Sequence, residues 1–234
     1  MKSLKVFVNI RWAVMLSGVL FFACQTDDVV RVADTAYYPV EKGRFWVYEV
    51  SEEVFSLTNK PETRHYWIKE SIGNMIEDDH DNRFYQLVRY KKNTLSEDWK
   101  ADSVWLIRPL PDKLIRIENN VSFTKLIFPA EEGSEWNTNA LNTAEPQELK
   151  YVKVGASYQL NETTLYPRTL KVSTVNDSTA LTMDRKTDVY ALEKGLIYKE
   201  VISLTYCQKS ECIGAGIIDF GKKTFWTLKE TGLE

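Results

Sequence analysis

From residue 37 to the C-terminus, apolar side chains recur at every second position, the period of strands with one buried and one wet face. Residues 44–50 set Trp46, Tyr48 and Val50 on one side and Phe45 and Val47 on the other. Residues 84–90 set Phe84, Val88 and Tyr90 against Tyr85, Leu87 and Arg89. The same pattern predicts strands over 65–72, 103–108, 113–118, 121–128, 149–154, 157–160, 169–175, 188–192, 196–207, 217–220 and 224–229. On 196–207, Leu196, Tyr198, Ile202, Leu204 and Tyr206 share a face with Glu200. Turn-forming runs separate most of these segments: Asn59-Lys60-Pro61, the acidic stretch 78–82, 109–112, Asn119-Asn120, Asn176-Asp177 and Gly221-Lys222.

No window carries an apolar stripe at helical spacing. The best place for a short helix is 131–149, with 137–146 equally readable as an ordered loop. About a dozen short strands with little helix predict an all-β, antiparallel fold. A curved sheet or barrel-like domain ranks ahead of a two-sheet sandwich, because a strand as long as 196–207 bends around a core. No linker or repeat divides the chain after residue 36, so 37–234 reads as one domain.

The first 24 residues point to an address. Lys2, Lys5 and Arg11 precede an apolar run from Trp12 to Ala23 that stops at Cys24. A basic start, a short apolar middle and a small residue before the cut describe a secretion signal over 1–23. Twelve apolar residues are too few to span a bilayer, which needs about 20. Ala23-Cys24 resembles the end of a bacterial lipobox, with Phe21-Phe22 where the usual pattern has Leu and a small residue. That resemblance implies a lipidated Cys24 followed by a tether over 24–36. Gln25-Thr26-Asp27-Asp28 resembles the acidic stretch that follows the cysteine in surface-exported lipoproteins of the Bacteroidota type. Tyr38-Pro39, Gly43, Trp46 and Tyr48 resemble the opening of small lipoproteins of that type, and Gly195-Leu196-Ile197-Tyr198 resembles a late strand in them. The likeness implies an outer-membrane lipoprotein, with the cell-surface face favoured, and implies no activity.

Three of the 30 basic side chains lie in the leader, leaving 27 against 33 acidic ones, a formal charge of −6. Such a chain lacks the basic footprint of a nucleic-acid binder. Charge would not hold it on an anionic membrane either, so the expected membrane partner is reached through the lipid anchor. With Cys24 assigned to lipid, Cys207 and Cys212 remain as a pair, expected to form a disulfide at a hairpin tip.

Catalytic signals are sparse. No G-x-S-x-G elbow exists, and both remaining thiols are committed. The neighbouring carboxylates Glu52-Glu53 and Glu131-Glu132 point to opposite faces if they lie on strands. His65 lies in a strand pattern, and His80 in an acidic run without the spacing of a calcium loop, so it reads as a solvated hairpin loop. Nothing implies a cofactor or a metal. Of the seven tryptophans, Trp46, Trp105 and Trp226 read as core, whereas Trp99 and Trp136 stand among polar residues as candidate ligand-binding positions. Asp34-Thr35-Ala36 resembles an O-glycosylation motif of exported Bacteroidota proteins, which makes Thr35 the candidate acceptor. The leading expectation is a non-enzymatic envelope lipoprotein whose β-domain binds a hydrophobic ligand or a partner protein. A glycan-binding accessory lipoprotein is the alternative, and a hydrolase the third reading.

Overall fold

A computed structural model of the chain describes residues 33–175 and 178–234. The leader, Cys24 and most of the tether lie outside the described residues, as do the expectations placed on them. Twelve strands follow a short 3₁₀ turn at Asp34–Tyr37. They are β1 (Arg44–Phe55), β2 (Glu62–Glu77), β3 (Arg83–Lys92), β4 (Lys100–Pro109), β5 (Lys113–Glu118) and β6 (Val121–Ile127). Then come β7 (Glu135–Asn137), β8 (Glu148–Gln159), β9 (Leu165–Thr174), β10 (Thr182–Ala191), β11 (Gly195–Tyr206) and β12 (Ile218–Leu233).

One antiparallel sheet contains them all, in the order β6-β5-β4-β3-β2-β1-β12-β11-β10-β9-β8-β7. Apart from β6 and β7, every strand therefore pairs with its neighbours in sequence. The first and last strands pair with each other, from Arg44↔Leu233 to Phe55↔Gly221. The two edges left over, β6 and β7, are consecutive in the chain, and the sheet curls until they meet. Thr124 N donates to Thr138 O at 2.9 Å. Trp136 Nε1 and Thr138 Oγ1 both donate to Thr124 O at 3.0 Å. The Tyr151 hydroxyl donates to Ile127 O at 2.7 Å and accepts from Ile127 N at 3.1 Å. These bonds occupy backbone groups that an open edge would offer to another chain. The outcome is a nearly closed, all-β, antiparallel barrel, the class that the period of two predicts.

Several local expectations are corrected. The segment 131–149 forms no helix; it contains β7 and a loop over 138–147. Asn137 Oδ1 organises that loop, accepting from Asn139 N at 2.9 Å and Gln147 N at 3.0 Å, and side chains of this type compete with helical bonding. Segments 149–154 and 157–160 merge into β8, which continues through register shifts around Gly155. Segments 217–220 and 224–229 merge into β12. Gly221 is not a turn there: a Cβ would lie 2.3 Å from Ser203 O, so glycine permits the close approach of β11. The domain also begins before residue 37. Residues 34–37 are docked rather than part of a tether, with Tyr37 and Tyr38 buried.

In a meander, alternate connections lie at alternate ends. The starts of β1 and β11 and the C-terminus share one end, and Tyr37 and Tyr38 close it from inside. The Tyr38 ring lies 5.2 Å from Trp46 and 6.2 Å from Tyr190. Glu193 N donates to Ala36 O at 2.8 Å, and Ala130 N to Asp34 Oδ2 at 2.8 Å. Trp46, Ile72, Leu87, Ile107 and Leu126, each fully or almost fully buried, fill this half of the interior. Each contributes about 1.5–3 kcal/mol through burial. The two patches quoted above for their lipoprotein likeness meet here. Trp46 Nε1 donates to Lys194 O at 2.5 Å, and Tyr48 OH to Leu196 O at 3.1 Å. Gly195, at φ +81°, stands where a Cβ would lie 2.7 Å from Trp46 Nε1.

The outer wall carries charge at mid-strand, with Glu49–Lys229 at 2.7 Å and Arg185–Glu200 at 2.9 Å. Lipid on that wall would make a mid-strand lysine or arginine cost about 2–4 kcal/mol. The wall is therefore built to face water.

Candidate functional site: a charged chamber inside the barrel

The other half of the interior is polar. Glu70 on β2 and Arg89 on β3 are direct cross-strand partners, and so are Asp188 on β10 and Lys199 on β11. All four carry the inward parity of their strands. Glu70 lies between buried Ile68 and Ile72, and Arg89 lies two residues from buried Leu87. Arg116 and Glu118 on β5, and Lys125 on β6, complete the set.

These groups form a chain of alternating sign across the barrel. Glu70 Oε1 lies 3.3 Å from Arg89 Nε and 3.2 Å from Arg116 Nη2. Glu118 Oε1 lies 3.3 Å from Arg116 Nε and 2.9 Å from Lys125 Nζ. Lys199 Nζ donates to both oxygens of Asp188, at 3.1 and 3.4 Å, and the Tyr190 hydroxyl donates to Asp188 Oδ2 at 3.2 Å. The Arg89 guanidinium lies 4.0 Å from the Trp105 ring centroid and 5.4 Å from that of Trp226. Both tryptophans pack against the core, as expected, and also form walls of the chamber. The Nε groups of Arg89 and Arg116 are buried without a well-directed acceptor.

Burial and neighbouring charge set the protonation of these groups. Burial alone would raise the Glu118 carboxyl, but Arg116 and Lys125 beside it outweigh that and hold it at about 2. Burial pushes the Lys125 ammonium down to about 8 against the pull of Glu118, with Arg116 and Lys199 adding to the fall. Burial also raises the Tyr38, Tyr48 and Tyr190 hydroxyls, which stay neutral.

Two adjoining cavities occupy this half. The inner one, about 190 Å³, lies among Glu70, Arg89, Trp105, Arg116 and Trp226. The outer one, about 230 Å³, lies beneath the end opposite Tyr38 and is lined by Phe123, Leu149, Val172, Lys186 and Val201. Glu118, Lys125, Asp188 and Lys199 border both. The barrel therefore encloses a space of mixed character. Phe123, Leu149, Val172 and Val201 supply an apolar wall beside its charged groups.

The positions singled out from sequence lie elsewhere. Trp136 is 8 % exposed, packs 4.8 Å from Tyr151 and donates at the β6–β7 seam. It cannot join Trp99 on an exposed platform, because its polar neighbours belong to the seam loops. Trp99 is half-buried on the outer wall, where Lys92 Nζ lies 4.6 Å from its ring centroid and Phe45 and Trp67 line the same groove. Cys207 and Cys212 form a disulfide, with Cα atoms 5.8 Å apart, in the β11–β12 connection. Thr35 is exposed within the 3₁₀ turn. His80 lies in the β2–β3 loop, where Asp78 Oδ1 accepts from His80 N at 2.9 Å and Asn82 N at 3.0 Å. Among the described residues, no group of three or more His, Cys, Asp or Glu is placed to hold a metal ion.

No family model and no curated protein matches the chain. Among solved structures it is similar to a crystal structure described as "a putative lipoprotein" from Parabacteroides distasonis. The TM-score is 0.45 at 9 % identity, covering 84 % of this chain and 98 % of that one. No functional argument rests on so distant a likeness.

Proposed function

We propose that this chain is an envelope lipoprotein, held at the outer membrane through Cys24, whose barrel is a binding module with its ligand site in the charged chamber. One observation carries the binding reading: inward-facing charged and aromatic side chains from β2, β3, β4, β5, β6, β10, β11 and β12 converge on a cavity at one end of the barrel. A barrel that needed only a stable core would gain by filling that space with apolar side chains, since buried ion pairs seldom stabilise more than well-packed apolar groups. The chamber favours a polar ligand over the hydrophobic one expected from sequence. The glycan reading loses the paired platform it needed. Every carboxylate in the chamber is held by Arg or Lys, which suits binding better than proton transfer.

The anchor has a geometric consequence in this reading. Ala33 leads into the closed end of the barrel, and nine residues connect Cys24 to it. Fully extended, they reach roughly 30 Å. The tether then bounds the distance between the lipidated cysteine and Ala33 and leaves the barrel's orientation open.

Two measurements test the reading. Cys24→Ala should move the protein from the membrane to the soluble fraction, and unchanged retention would contradict the anchor. Native mass spectrometry of protein extracted gently from membranes should find a small molecule retained by the wild type and absent from Val201→Trp, which fills the chamber. A wild type bare under every extraction condition would contradict the binding reading.

A further inference from the structure

We infer that the chamber is a site for a small organic anion, its charged end lying among Lys125, Lys186 and Lys199 and its apolar body against Phe123, Leu149 and Val172. This rests on the binding-module reading above and names the class of ligand. Charge is the first argument. Arg89, Arg116, Lys125, Lys186 and Lys199 line the two cavities with Glu70, Glu118 and Asp188, so among the described residues cations outnumber carboxylates by two. The excess lies at the open end. Lys186, exposed at the rim, donates to the neutral Gln147 Oε1 at 2.5 Å, and among the described residues no carboxylate lies within ion-pair distance of it. A cationic ligand would meet the opposite situation. Among the described lining residues Glu70, Glu118 and Asp188 are each already held by Arg or Lys, so it would find no carboxylate to match the uncommitted Lys186.

The wall and the volume give the rest. Phe123, Leu149, Val172 and Val201 form an apolar side to the outer cavity, which an inorganic anion would leave unused. At about 230 Å³ that cavity falls below the roughly 300–1,000 Å³ of sites for drug-sized molecules. The ligand is correspondingly small. Burial lowers Lys125 even with Glu118 beside it, so an arriving anion would add a second negative partner and stabilise the ammonium further.

The test is calorimetric titration of the protein, isolated from membranes and held in nanodiscs of neutral lipid, with empty nanodiscs as the blank. The probes are hexanoate, its uncharged isostere hexanamide, and inorganic phosphate. Hexanoate should bind at least tenfold more tightly than hexanamide, a ratio worth about 1.4 kcal/mol. Lys186→Met, at the rim and clear of the packed ion pairs, should weaken hexanoate about threefold to tenfold and leave hexanamide unchanged. Hexanamide binding as tightly as hexanoate, with Lys186→Met indifferent, would overturn the anion assignment while leaving the binding module intact. Phosphate binding as tightly as hexanoate would overturn the organic body. No binding by any probe, with no molecule retained in native mass spectrometry, would overturn both readings together.

Discussion

Glu70 faces Arg89 across the β2–β3 pair and also meets Arg116 from β5, so one nearly inaccessible carboxylate partners two guanidinium groups. Removing it leaves two inward cations short of their counter-charge. Glu70→Leu should therefore destabilise the barrel by about 3–5 kcal/mol, measured by urea unfolding. A loss under 1 kcal/mol would mean that water, and not Glu70, partners the arginines.

Gly195→Ala should cost about 1–3 kcal/mol. The position has φ +81°, and the added methyl would push into the Trp46 indole that donates to Lys194 O. Thermal unfolding gives the size of the effect, and a changed tryptophan emission would report the displaced ring. Stability and emission both unchanged would show that the contact at Trp46 is relaxed.

Trp136→Phe keeps the aromatic packing on Tyr151 but removes the donor to Thr124 O. Thr138 Oγ1 donates to the same oxygen, so the carbonyl is not orphaned. The expected loss is about 0.5–1 kcal/mol, the low end for a hydrogen bond. Hydrogen exchange should quicken at the Thr124 amide, which belongs to the seam, more than at the Glu70 amide in the laddered wall. Uniform protection in the variant would mean that the seam does not depend on this side chain.

Acid should loosen the barrel through Glu118. Its folded value of about 2 lies below the ordinary glutamate value of 4.5. Its ionised form therefore stabilises the fold above about pH 4.5, and that contribution is lost as pH falls toward 2. Glu118→Gln should flatten the stability profile across this window. A profile as steep as the wild type's would assign acid sensitivity to other carboxylates.

Much of the fold is legible in the sequence. Alternation at Trp46, Tyr48 and Val50, or at Tyr85 and Leu87, is a local property of the chain and gives strands directly. Continuity is less visible. Gly155 and Gly221 resemble strand breaks, yet one sits among register shifts and the other allows two backbones to touch. The closing seam is invisible for a different reason, since Trp136, Thr138 and Tyr151 find their partners on β6 only after the whole sheet has curled. The chamber left a partial trace. Arg89 shares its parity with Tyr85 and Leu87, Glu70 with Ile68 and Ile72, and Asp188 with Tyr190. A charge on the apolar parity of a strand marks an inward-facing charge, but the partner across the barrel is fixed by topology. At Trp136 polar sequence neighbours suggest exposure, whereas they belong to the seam loops and the ring is buried.

The most direct test of the chamber is an NMR titration of the Lys125 ammonium with and without hexanoate. Glu118 and Arg116 from β5, Asp188 and Lys186 from β10, and Lys199 from β11 are the charged groups around it. The free protein should show Lys125 titrating near 8, and bound hexanoate should move it upward toward the ordinary lysine value of 10.5. A lysine titrating near 10.5 in both states would contradict a buried, cation-rich site that answers to an anion.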